Sequence, residues 1–134
     1  MKKIVALCCL LLAVMTTACS GEFDTEGCAR AIEQASAANA GQQQYEALIS
    51  YSNRAVDHFG SLVEKIKNCK DKEEIEALYQ DPKNGEISNQ LQQMSMILES
   101  APLDDDNRKK YEELKARSAE VVKEMIEAAV QHAM

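Results

Sequence analysis

The chain has no Trp, two Phe and four Tyr among 134 residues. Its core must therefore be built from Leu, Ile, Val, Ala, Met and a few Tyr. Proline occurs twice and glycine five times, which argues against a sheet-rich fold with many tight turns and favours helices. There is no basic excess. The formal net charge is −7, and an acidic domain lacks the cationic face that nucleic-acid phosphates require. Histidine is nearly absent too. His58 and His132 are far apart, and Asp57 next to His58 cannot orient it as a triad partner, because neighbouring helical side chains point about 100° apart. No G-x-S-x-G motif is present and the glycines form no phosphate loop. The sequence therefore offers no catalytic residues, no metal ligands and no cofactor site, and it reads as a non-enzyme.

One long apolar run breaks the pattern. Lys2 and Lys3 precede "IVALCCLLLAVM" (Ile4 to Met15), and the small residues Thr16, Thr17 and Ala18 lead to Cys19. This is the layout of an export signal, too short to span a hydrocarbon core that needs about 20 helical residues. The segment resembles the signal peptide of bacterial lipoproteins, in which a small residue precedes a Cys that is lipidated and becomes the first residue of the mature protein. Ala18 and Thr17 fit that pattern. Thr16 departs from it, because the family usually has a bulky apolar residue there. The alternative is ordinary cleavage after Ala18 without a lipid. The resemblance implies removal of residues 1–18, a palmitate-bearing anchor on Cys19 and attachment to a membrane of the cell envelope. Ser20 after the Cys implies the outer membrane rather than the inner, with the domain periplasmic or surface-exposed. The resemblance is confined to about the first twenty residues, and the mature domain suggests no family.

Removing residues 1–18 takes away two Lys and no acid, leaving 13 basic against 22 acidic residues, a net −9. Such a surface is repelled by anionic head groups, so acyl chains would hold it where its charge would not. Residues 19–27 read as an acidic tether of up to about 30 Å, and residues 28–134 as the folded domain.

The domain reads as all-α: a small antiparallel helical bundle of about four legs, one of them broken into two short helices. Cys28, Ala31, Ile32 and Ala35 share a face of a short first helix, with Gly41 as the break. Tyr45, Leu48, Ile49, Ser52, Ala55, Val56, Phe59, Leu62, Val63, Ile66 and Cys69 recur three and four apart on a long second helix. Asp71 and Glu74 form a capping box, and Ile75, Leu78 and Tyr79 follow on a short helix that Asp81-Pro82 and Asn84-Gly85 should stop. Ile87, Leu91, Met94, Ile97 and Leu98 define the next stripe. Tyr111, Leu114, Ser118, Val121, Met125, Ala128 and His132 define a heptad-like seam on the last helix, with Glu113 and Arg117 placed for an i,i+4 ion pair.

Cys28 and Cys69 remain as an even pair in an oxidising compartment, so a disulfide between them is expected. With both arms helical about a corner at Gly41, however, the two lie about 20 and 42 Å from it, so the bond requires part of residues 28–41 to be extended. "DDDN" (Asp104 to Asn107) lacks the Gly and Glu of a calcium loop and reads as a helix start. Met94 and Met96 point about 200° apart, one toward the core and one out.

What remains for function is surface. Asp71, Glu73, Glu74 and Glu76 form one acidic cluster. Asp104, Asp105, Asp106, Glu112 and Glu113 form another. Both are candidate docking faces for a basic protein partner. The reading is a membrane-tethered, protein-binding lipoprotein. Two alternatives stand beside it: an inhibitor or immunity-type lipoprotein that neutralises a basic toxin or hydrolase, and an envelope structural or stress factor that recognises unfolded chains or peptidoglycan. A concave acidic cleft would favour the inhibitor, and a long exposed apolar groove would favour chain binding.

Overall fold

Caps set the helix boundaries. A computed structural model describes residues 23–133; the apolar run expected to be an export signal, Cys19, the His132 side chain and Met134 lie outside the described residues. Five helices follow one another: α1 Thr25–Ser36, α2 Gln42–Lys67, α3 Lys72–Gln80, α4 Pro82–Ser100 and α5 Asp105–Ala133. Asp carboxylates hold four of the starts. Asp24 accepts from the Gly27 amide at 2.9 Å, Asp71 from Glu74 at 2.9 Å, Asp81 from Lys83 at 3.0 Å and Asp104 from Asn107 at 2.8 Å. Each removes an orphan N–H from a first turn and sets negative charge on the positive end of the helix dipole. The exception is α2, where the Gly41 amide donates to Gln44 Oε1 at 2.8 Å.

The all-α bundle is as the periodicity predicts. α1, α2, α4 and α5 alternate in direction, with α3 a short brace packed on α2 and α4. Antiparallel α2 and α4 meet where Ser52 faces Met94 and His58 faces Asn84. The most extensive packing is between α2 and α5, and these two run parallel. Gln42 at the start of α2 bonds Asp104 and Asn107 at the start of α5. Farther along, Glu46 pairs with Lys110, and Asp57 with Arg117. α1 and α5 flank α2 on opposite sides: Phe23 packs edge-on against Tyr51, whereas Arg117 binds Asn53 and Asp57.

Two apolar clusters fill the interior. The larger joins Phe23, Cys28, Leu48, Val56, Ile87, Met94, Leu98, Tyr111 and Leu114 from α1, α2, α4 and α5. The smaller joins Leu62, Val63, Ile66, Ile75 and Ala128. A Cβ at Gly27 would fall within 3 Å of both the Asp24 cap carboxylate and the Tyr51 hydroxyl, so a larger residue there must displace one or both of these side chains.

Four expectations are corrected. Phe23 to Gly27, expected in the tether, belong to the bundle. Phe23 and Gly27 are buried, and α1 starts at Thr25. Burying one Phe contributes about 1.5–3 kcal/mol, enough to hold those residues against α2. Asn84-Gly85 does not break the chain, because Pro82 occupies the first helical position behind its Asp81 cap. Its missing N–H is an orphan there anyway. α4 is consequently a full leg of 19 residues. Cys28 and Cys69 are free thiols. α1 stays helical to Ser36, and the two sulfurs sit in different clusters, Cys28 beside Met94 and Cys69 against Lys65 O. Finally, Arg117 turns across to α2 rather than down its own helix to Glu113.

Candidate functional site

Where α4 and α5 separate, they leave a groove. Its upper end is closed by Tyr111, whose hydroxyl donates to Glu99 at 2.8 Å, and by Lys115, which pairs with Glu99 at 3.4 Å and Glu112 at 3.1 Å. Burial and the Glu99 carboxylate beside it push the Tyr111 phenol well above its ordinary range, so it stays a donor. Below this clasp the groove opens. Val56 and Phe59 of α2 form the floor, Ser88 and Leu91 of α4 one wall, and Ser118, Val121, Val122 and Met125 of α5 the other; it holds ≈ 170 Å³.

The groove continues onto the outside of α5. Val122, Ile126 and Val130 are 54%, 59% and 52% exposed, which is unusual for branched aliphatics on a chain this charged. They lie four apart and sit outside the Tyr111–Ala128 seam that faces α2. At about 100° per residue, Lys123 comes next round the helix after this stripe, then Glu127, Glu120, Glu113 and Glu124. From Ala119 onward the apolar strip therefore carries no acid, although the chain as a whole is acidic; Glu112, at the angle of Val130, lies nearer the start of α5 and pairs with Lys115. The spacing of Val122, Ile126 and Val130 is visible in the sequence. The neighbouring heptad seam accounts for the helix on its own, so the spacing alone does not single the strip out.

The acidic clusters are exposed but do not converge. Asp71 and Asp104 are helix caps. Glu74 accepts from the Lys70 amide at 2.8 Å, which completes the predicted capping box one residue early. Asp106 pairs with Lys110 and Glu112 with Lys115. Glu73, Glu76, Asp105 and Glu113 are exposed. The cluster around Asp71 follows the end of α2 and the cluster around Asp104 adjoins its start, about 39 Å apart along a 26-residue helix. They form two separate patches. The concavity between α2 and α5 is lined by Glu46, Ile49, Ser50, Asn53, Arg54 and Lys110, one acid against two bases.

The titratable side chains elsewhere serve the fold. His58 Nε2 lies 2.7 Å from Asn84 Oδ1 and its ring stands edge-on to Phe59. Met94 is wholly buried, whereas Met96 is 73% exposed. The Met94 thioether accepts from Cys28 Sγ at 3.6 Å and from Ser52 Oγ at 3.5 Å, tying three helices together. Burial and then Asp24 push the Cys28 thiol up to about 11, which keeps it protonated and a donor. Among the described residues no three His, Cys, Asp or Glu side chains converge as a metal site, and no helix is long and apolar enough to cross a membrane. Comparison with protein-family models, with curated proteins and with solved structures finds no match to this chain.

Proposed function

We propose that this chain is a non-enzymatic lipoprotein of the bacterial cell envelope, anchored through acylated Cys19, whose helical bundle works by binding protein through the open apolar face of α5. The address is supported by the order Lys2-Lys3, apolar run, Thr17-Ala18-Cys19. The binding role is supported by one observation above others: the groove between α4 and α5 runs into three branched aliphatic side chains left open to solvent. Such patches mark interaction surfaces more often than they occur by accident. Outer-membrane placement is supported by Ser20 alone.

The inhibitor reading predicts a concave acidic cleft. The acids instead cap helices, pair with Lys or stand apart at two ends of α2, so nothing in the geometry favours it over protein binding at α5. The stress-factor reading shares the apolar groove and differs only in what fills it.

Metabolic labelling with a palmitate analogue tests the address. The wild-type chain takes the label and fractionates with membrane, and Cys19→Ser loses both. A Cys19→Ser chain that stays labelled and membrane-bound refutes it.

A further inference from the structure

We infer that the partner for the open face of α5 is a second copy of this chain, paired antiparallel about a two-fold axis at Ile126. The inference rests on the protein-binding reading and names the occupant of that same surface. Three observations carry it.

The first is charge. Two copies of a −9 chain repel one another almost everywhere, and self-association requires a surface free of acids. From Ala119 to Ala133 the strip Val122, Ile126, Val130 is such a surface, and over that stretch acids begin only beyond Lys123 on its outer edge.

The second is complementarity. In a two-fold interface a residue on the axis meets itself. With Ile126 on the axis of an antiparallel helix pair, Val122 of each copy faces Val130 of the other. Same-side flanking positions also meet in such a pair. Lys123 of one copy then lies about 3 Å along the axis from Glu127 of the other, and the symmetry makes the pair twice. Among the described residues neither Lys123 nor Glu127 forms an ion pair within its own chain, whereas Lys115 and Lys110 on the same helix do. On its other edge the strip borders Ser118, Met125 and the groove, which the second α5 would cover.

The third is area. With Ile126 on the axis, position 133 of one copy lies opposite position 119 of the other, so the paired stretch runs over about 15 residues, or about 22 Å. A single pair of helices in contact over that length belongs to the small-interface class, below the roughly 800 Å² per partner of a standard interface, so the pairing is weak and reversible.

Sedimentation equilibrium of residues 20–134 over a range from about 1 to 500 μM should show the mass rising from monomer toward dimer. Ile126→Glu places two carboxylates on the axis and should hold the chain monomeric throughout; Ile126 is exposed, and circular dichroism confirms that the variant is folded. Lys123→Glu should weaken pairing at least tenfold, and adding Glu127→Lys should restore it. In cells, full-length Ile126→Cys in a Cys69→Ser background should give an oxidised species of twice the monomer mass. A wild-type chain that is monomeric at every concentration overturns the inference, as does a charge reversal that fails to rescue or a cross-link to a different polypeptide. Palmitate labelling is indifferent to all of these, so loss of self-pairing would leave the lipoprotein reading standing.

Discussion

Replacing Met94 by Leu should cost more than the change in shape explains. Met94 is fully buried, and a Met-to-Leu exchange of similar volume costs under about 1.5 kcal/mol when only packing changes. Here the sulfur is also the acceptor for the Ser52 hydroxyl at 3.5 Å. Ser52 is 1% exposed, so water cannot replace the lost partner, and an orphaned buried donor costs about 1–3 kcal/mol. The expected total for Met94→Leu is about 2–3 kcal/mol. Ser52→Ala alone should cost about 1 kcal/mol, because the thioether keeps its bond from Cys28. In the double variant the hydroxyl orphan is gone, leaving the packing change and the weak Cys28 thiol donor without its acceptor, so the loss should be about 1–2 kcal/mol. Urea unfolding of residues 20–134 followed by circular dichroism, with unchanged m-values, gives the four stabilities. The coupling should exceed about 1 kcal/mol. If the two changes add to within about 0.3 kcal/mol, the hydroxyl has another acceptor, such as a carbonyl of its own helix, and the thioether does not tie α1, α2 and α4 together.

Gly60 and Gly85 lie inside helices, and a Cβ at either meets nothing within 4 Å. Gly60→Ala and Gly85→Ala should each stabilise by about 0.5–1 kcal/mol, additively, as urea midpoints will show. Cys69 is partly exposed while Cys28 is sealed, so a maleimide should label one thiol in the native protein and both in urea. Burial, then Glu74 and Asp71, raise the Cys69 thiol above 9.0. Its labelling rate should therefore rise later with pH than that of a free thiol, and earlier again in Glu74→Gln. Native Cys28 holds its proton up to about 11, more tightly than the unfolded chain does. Stability should fall as pH rises from 9.0 toward that value, and Cys28→Ala should lack this part of the slope.

The helices were legible where one periodicity dominated. From Tyr45 to Ile66 nearly every apolar residue at three-and-four spacing is buried, because a 26-residue amphipathic helix has one way to hide its stripe. The turn at Asn84-Gly85 was misread for a local reason. Pro, Asn and Gly weigh toward a break when each is taken alone, but an Asp in front of a Pro is also a cap followed by a first helical residue. Phe23 was missed because it stands among acids and glycines with no apolar neighbour in its turn. Its partner, Tyr51, is 28 residues away, and only the closed fold brings them together. The parallel packing of α2 on α5 was not legible at all, since a stripe says that a face is covered and not by what. The same limit hid the groove. Its floor and walls come from three helices, and only Val122, Ile126 and Val130 gave a sign of it in the sequence. Composition shows the acidic runs only as charge, whereas hydrogen bonding places Asp71 and Asp104 at helix starts.

The burial of Phe23 has a consequence for the order of events in the cell. If Cys19 carries the anchor, three residues separate it from a side chain wedged beside Tyr51, a leash of at most about 14 Å. If a leader is removed before Cys19, whatever cuts that bond must work within the same short leash whenever Phe23 is already in its socket. The later the Phe23–Tyr51 latch closes, the more freely the bond can be presented, so processing and the last step of folding would be coupled.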